Sequence, residues 1–403
     1  MTPLKDTLRL IISHFWFLLT VIGFLFFWSD EKLNVDIEKN ISQNLKSIDT
    51  NSNGFLYFLG FHASRETLPT DLGRWLIQGV HTQKNAYKGL WNISEVQLPN
   101  VQNTLPLPDA SLPCSLLSKH CIIDNFYEKQ NLQKLINEHQ LLLQRFYALL
   151  RKTKFTTLTA PSKINFYQSY TAVAAANRLF MWDIALQFQK NPQEAILQMM
   201  DVRTKMITHI TISDNLIYKS MMLKLMDNQL DWIEQWREQE ILRYEDYREL
   251  IENFKVLSSS EISFKRYITK EASYIIDYYQ SPAAQDAVYD RHLAILNPTQ
   301  SHIIPLWVTQ LIFKPNMTIN RLWKQLQTVV KLSEMNQKDF IIHLKELTKK
   351  HTTTLSNIRS AATQDMLYSY SPDFVSRINA FHTYNSKLKR LKQSQHLISV
   401  AQR

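Results

Sequence analysis

The chain has 403 residues, is 45% hydrophobic and carries a net charge of +10, which excludes a disordered chain and a disulfide-stapled miniprotein and leaves material for a large core. Only six glycines occur, and none follows Gly89. Glycine supplies positive φ and lets backbone approach a phosphate, so Walker loops, dinucleotide fingerprints and G-x-S-x-G elbows are excluded, and a β-sandwich or barrel with many tight turns is disfavoured. The expected class is all-α, an N-terminal transmembrane signal anchor followed by a multi-helix domain of antiparallel helical hairpins.

Residues 1–9 form a short basic N-terminus, and Leu10 to Trp28 is an apolar run whose polar members are Ser13, His14 and Thr20. At 1.5 Å per residue the run spans roughly 28 Å, close to the hydrocarbon thickness of a bilayer. The crowd of aromatics (Phe15, Trp16, Phe17, Phe24, Phe26, Phe27, Trp28) leaves no polar face for a globular surface. A cleavable signal peptide would need a small-x-small site, where Phe26-Phe27-Trp28 offers bulky residues, so an uncleaved anchor is the better reading. Lys5 and Arg9 precede the span, while Asp30, Glu31, Asp36 and Glu38 outnumber Lys32 and Lys39 after it. The positive-inside rule then puts the N-terminus in the cytoplasm and the bulk of the chain in the periplasm of a bacterial inner-membrane protein.

Residues 29–123 are mixed and irregular. They hold five of the six glycines, an apolar patch at Phe55-Leu56-Tyr57-Phe58-Leu59-Gly60-Phe61, and a proline-rich segment with Cys114 and Cys121. The patch predicts a short helix packed on the body, or a surface against the membrane. Six residues separate the cysteines, a spacing suited to one short-loop disulfide in an oxidising compartment. His120 beside Cys121 offers a metal reading, but three ligands with no further histidine or cysteine nearby are too few for it. No metal and no cofactor is expected.

Residues 124–403 predict helices throughout. Leu132, Leu135, Ile136, Leu141, Leu143, Phe146, Leu149 and Leu150 recur mostly at three- and four-residue intervals. A helical hairpin follows, Ile164 to Phe188 and Gln193 to about Ile210, with Asn191-Pro192 as turn and first helical position and Ala172, Ala174, Ala175 and Ala176 as a close-packing face. Ser213 and Asp214 are expected to cap a long helix reaching towards Leu257 with a bend near Arg237. Further helices are expected at Glu261 to Tyr279, Ala283 to Leu296, Ile319 to Glu334 and Lys338 to about Ile358. At the C-terminus Phe374, Ile378, Phe381, Tyr384, Leu388 and Leu391 form a helical stripe beside Arg377, Lys387, Lys389, Arg390 and Lys392. That pattern suits a basic helix lying on anionic lipid, or a terminal helix docked on the body with a solvated basic edge.

No spaced motif with a mechanism emerges. The weak catalytic candidates are Asp183 and Asp201, on facing arms of the hairpin, and His209, eight residues beyond Asp201 and so roughly 12 Å further along the axis. Capping, ion pairing or exposure is the plainer account of all three. An exported chain does not meet cytoplasmic nucleic acid. The expected partners are the lipid bilayer through residues 10–28, a protein, and anionic lipid or glycan.

Several strings resemble a family of uncharacterised single-pass, membrane-anchored helical proteins of Gram-negative bacteria. They are Asn53-Gly54-Phe55-Leu56-Tyr57-Phe58-Leu59-Gly60-Phe61, the Cys114 and Cys121 pair, Ser213-Asp214-Asn215-Leu216-Ile217-Tyr218-Lys219-Ser220-Met221, and Lys314-Pro315-Asn316-Met317-Thr318-Ile319-Asn320, together well under a tenth of the chain. The resemblance implies the same topology and compartment and carries no activity. The expected function is a non-catalytic binding or scaffolding role towards a protein or envelope component, immunity-like in one version. The alternative is a membrane-tethered enzyme acting on lipid or glycan.

Overall fold

In the computed structural model the described residues are 14–18, 20, 31–35, 37, 52–86, 103–108, 129–158, 167–279, 315–349 and 361–401. They are helical, with no strand among them, and their one extended contact is a parallel bridge between Asn53 and Lys154. In chain order the helices are α1 (Gly54–Leu59), α2 (Pro69–Ala86), α3 (Lys129–Glu138), α4 (Gln140–Leu150), α5 (Tyr167–Phe188), α6 (Pro192–Ile212), α7 (Leu216–Glu238), α8 (Tyr244–Asn253), α9 (Ser259–Ile262), α10 (Lys265–Tyr279), α11 (Pro315–Glu334), α12 (Gln337–Lys349) and α13 (Ala361–Ala401). The all-α class is therefore correct. Cys114, Cys121 and the helix expected at 283–296 lie outside the described residues. Among those described, no helix is long and apolar enough to cross a membrane, and most of residues 10–28 fall outside them.

The chain divides into two compact units, neither of them one continuous stretch. The smaller comprises Met1–Gln43, Ala272–Leu326 and Lys350–Pro372. In it Ile37, Ile319, Leu322 and Leu326 are buried, and the Asn320 amide bonds to the backbone of Lys32 and Asn34. Phe15, Trp16, Phe17 and Leu18 all project outwards from a helical turn, each more than half exposed.

The larger unit comprises Asn44–Glu271, Gln327–Lys349 and Asp373–Arg403. Its α1 is the apolar patch, capped by the Asn53 side chain, which accepts from Phe55 N. Packing of α1 on α2 is backbone against backbone. A Cβ at Gly60 would lie 1.9 Å from the Pro69 carbonyl oxygen, and one at Gly73 2.0 Å from that of Leu56. The loop between them is pinned by Arg145 of α4, whose guanidinium donates to the carbonyls of Phe61, Ala63, Ser64 and Thr67.

The core is the α5–α6 hairpin with α7 against it. Asn191 caps α6 by accepting from Glu194 N, with Pro192 in the first helical position, as the sequence predicts. Ala172, Ala174, Ala175 and Ala176 are all buried. Two of the expected helices are interrupted. The first breaks at His139 into α3 and α4. The second ends at Glu238, where the Ile241 N–H bonds to the Trp236 carbonyl and that of Glu240 to Arg237. This is a Schellman stop, and its left-handed position is filled by Glu240 at φ 57°.

Two tests follow from these backbones. Gly73→Ala must separate α1 from α2, an overpacking cost of about 3 kcal/mol that urea unfolding would register as a lower midpoint. Glu240 is exposed, so Glu240→Gly relieves the left-handed backbone without removing packing and is expected to add about 1 kcal/mol by the same measurement.

Candidate functional site

Asp183 and Asp201 stand on α5 and α6, and both act on one group, the half-buried hydroxyl of Tyr147 on α4. Burial first, then the two carboxylates, push that phenol above its usual range. Its oxygen accepts from Gln198 Nε2 at 3.0 Å. Asp183 is half-buried and accepts from Gln187 at 3.2 Å. Desolvation raises its pKa, with Lys190 and that hydrogen bond opposing. Asp201 is exposed and pairs with Lys205 one turn on, at 2.5 Å. A phenol held protonated beside carboxylates that are already bonded is a poor proton relay.

His209 is elsewhere. Its side chain has no exposed surface, its Nδ1 lies 2.8 Å from the Tyr218 hydroxyl, and burial lowers its pKa to about 4 against the backbone carbonyls of Leu150 and Lys152. Tyr218 is stacked on Phe155 with ring centres 3.8 Å apart. The structure therefore brings two of the three candidates near one another and leaves the third in the core.

The turn from α6 to α7 carries the densest set of perturbed groups. Sequence reading gave the cap to Ser213 and Asp214, but the capping residue is Asn215, whose side chain accepts from Tyr218 N. Asp214 is drawn away to Thr157, accepting from its amide at 2.8 Å and its hydroxyl at 2.7 Å. Desolvation raises the Asp214 pKa in spite of those bonds. One turn into α7 stands Lys219, 1% exposed, its amine donating to the Ser263 carbonyl at 2.8 Å. Burial, then repulsion from Arg266, lowers it to about 7, with Asp214 opposing.

Sequence reasoning missed Lys219 and, on α6, Arg203. Both lie on stripes otherwise apolar, Lys219 with Met222 and Met226, Arg203 with Met199, Val202 and Met206. A charge on such a stripe was the available signal. Of the five C-terminal basic residues, Arg377 bonds to Ser220 Oγ, Lys387 to Asp227 and Asp231, and Lys392 to the Glu252 carbonyl. Arg390 lies near Glu234, and Lys389 is exposed. The stripe beside them, Phe374 to Leu391, is buried throughout. The helix thus packs on the body by its apolar stripe, with Lys389 and Arg390 exposed.

Among the described residues no group of three or more acidic, histidine or cysteine side chains is placed to hold a metal ion. A shallow groove of about 220 Å³ runs along α6, lined by Thr204, Ile207, Thr208, Thr211, Ile212 and the Lys255–Glu261 pair. No family model, curated protein or solved structure matches the chain.

His209 makes a direct pH test. Its folded pKa lies below the unfolded value near 6.5, so its contribution is complete above that pH and is lost as pH falls towards 4, by about 3 kcal/mol. Denaturant melts of wild type and His209→Asn at pH 7 and pH 4.5 should converge as pH falls, because only the wild type loses this contribution.

Proposed function

We propose that the chain is a membrane-tethered, non-catalytic binding or scaffolding protein whose helical body, built of antiparallel hairpins, holds a protein or envelope component. The observation that carries the reading is how the candidate groups are engaged. Asp201 is paired with Lys205, Asp183 accepts a hydrogen bond from Gln187, and His209 is enclosed with Tyr218. A catalytic pair needs an open position between its members, and these have protein partners instead.

The tether is residues 10–28, with the N-terminus in the cytoplasm, the bulk in the periplasm of a Gram-negative inner membrane, and Cys114 joined to Cys121. In support, Phe15, Trp16, Phe17 and Leu18 expose apolar surface on consecutive positions, which around a whole helical turn suits lipid rather than water. An immunity-like role at the membrane surface is one form of this function. The enzyme alternative, acting on lipid or glycan, rests on Tyr147 with Asp183 and Asp201 beside it.

The test uses two versions, the full chain and one whose span is replaced by a cleavable signal peptide. After a carbonate wash the full chain is expected to remain in the membrane pellet and the second to be released. After crosslinking, a stoichiometric protein should be retained by both. Retention of lipid or glycan alone, together with loss of function in Asp183→Asn or Asp201→Asn at unchanged stability, would favour the enzyme.

A further inference from the structure

The larger unit buries two ionisable groups of opposite kind at the first turns of α10, and neither takes part in the function proposed above. One is Lys219, which reaches across from α7 to the carbonyl of Ser263, two residues before α10 begins. An ammonium has three donors, and among the described residues this amine makes that one hydrogen bond. The other is Glu271, on α10 itself and 5% exposed. The Tyr267 hydroxyl one turn back donates to its carboxyl, while Oε2 is buried with no partner among the described residues.

Charged and titratable neighbours do little to settle either group. Facing Lys219 are Asp214, already bonded twice to Thr157, and Arg266 of α10, which repels it while donating to the Ile212 carbonyl. Lys270 acts on Asp214 in turn. Glu334 is held by Ser263 Oγ at 2.6 Å. For Glu271 the acting group is Tyr267.

What holds the segment down is apolar contact, with polar joints at Ser263, Phe264 and Arg266. Phe264 packs on Phe374 and Phe381, Tyr267 on Phe374, and Ile268 is fully buried. The Phe264 amide donates to Ser333 Oγ at 3.0 Å. We propose that residues 265–271 of α10 are a poised element, docked by their apolar face yet opposed at neutral pH by Lys219 and Glu271, both of which regain full charge when the segment lifts.

The sign of the pH dependence follows from the two groups. Burial holds Lys219 at about 7, below its ordinary value. It holds Glu271 at about 7, above its ordinary value. Lifting therefore takes up a proton at Lys219 and releases one at Glu271. Raising the pH above 7 removes the first penalty, since the free amine loses its charge too; lowering it below 7 removes the second. Docking is weakest near pH 7 and tighter on both sides. His62 and His209, each at about 4, titrate below this window.

Hydrogen exchange on the purified full chain from pH 5 to pH 9, corrected for intrinsic rates, tests it. The opening constant for amides of residues 265–271 is expected to peak near pH 7 and to fall on the order of tenfold at pH 5 and at pH 9. Lys219→Met should flatten the alkaline limb and keep the acid one, and Glu271→Gln the reverse. A flat wild-type profile, or a limb that survives its own substitution, overturns the proposal. Should a variant fail to fold, the wild type decides. A peak confined to α10 supports the proposal, and an equal peak in the core amides of α5 means global unfolding and overturns it.

Discussion

A buried guanidinium, bonded to neutral groups among the described residues with the Asp227 charge acting on it from nearby, sits within the larger unit, and the helices around it are arranged to satisfy it. Arg203 of α6 donates to the Met226 carbonyl and to Gln229 Oε1 on α7, and to the Tyr384 hydroxyl on α13. The Phe254 ring lies beneath it at 3.9 Å. Gln229 is oriented in turn by Asn177 of α5, 2.7 Å away. A buried cation left unsatisfied costs several kcal/mol, so this net fixes the rotation of α5, α6, α7 and α13 at once, where hydrophobic burial alone would tolerate small slips. Apolar stripes say which face of each helix turns inwards. The Arg203 net selects one register among the packings those stripes allow.

Docking of α13 shows the same division of labour. Its stripe supplies the area, and single polar groups set its position along the groove. The Asn385 side chain pairs with both backbone groups of Leu257, as a strand neighbour would. Lys387 lies between Asp227 and Asp231, each less than a quarter exposed. At such partly buried sites the attraction is screened less than at the surface. The cluster of basic residues at the C-terminus thus has a structural use, and periodicity alone could not separate it from a lipid-binding edge. The charges look the same in sequence, and the acids that neutralise Lys387 lie on a helix more than a hundred residues earlier.

What was legible follows from local chemistry. The Asn191-Pro192 turn, the alanine face of α5 and the α13 stripe are set by neighbours within a few residues, and each was read correctly. The break at Glu240 was harder. Left-handed stops are usually marked by glycine, and this chain has none after Gly89, so a glutamate takes the position because Leu242 and Tyr247 must turn inwards just beyond it. Asp214 looked like a cap because aspartate before a helix usually is one. A partner 57 residues away, Thr157, claimed it. The meeting of Asp183 and Asp201 at Tyr147 needs three helices in place and has no trace in spacing.

The net charge of +10 has to be divided between surface and interior. Taken as surface charge it points to polyanions such as anionic lipid or cell-wall polymer. Yet Arg145, Arg178, Arg203 and Lys219 are each at most 5% exposed. Arg145 and Arg203 are ligated by carbonyls, an amide and a phenol, and Arg178 lies over the Trp182 ring. These cations are enclosed in the body and hydrogen-bonded or stacked there, so no polyanion touches them. Four acids are buried as well, Asp214, Asp246, Glu261 and Glu271. Among the described residues the buried charges therefore balance, four cations against four acids. Burial alone thus does not make the surface less basic than the composition, and the electrostatic case for a polyanion stands beside recognition by shape and apolar contact.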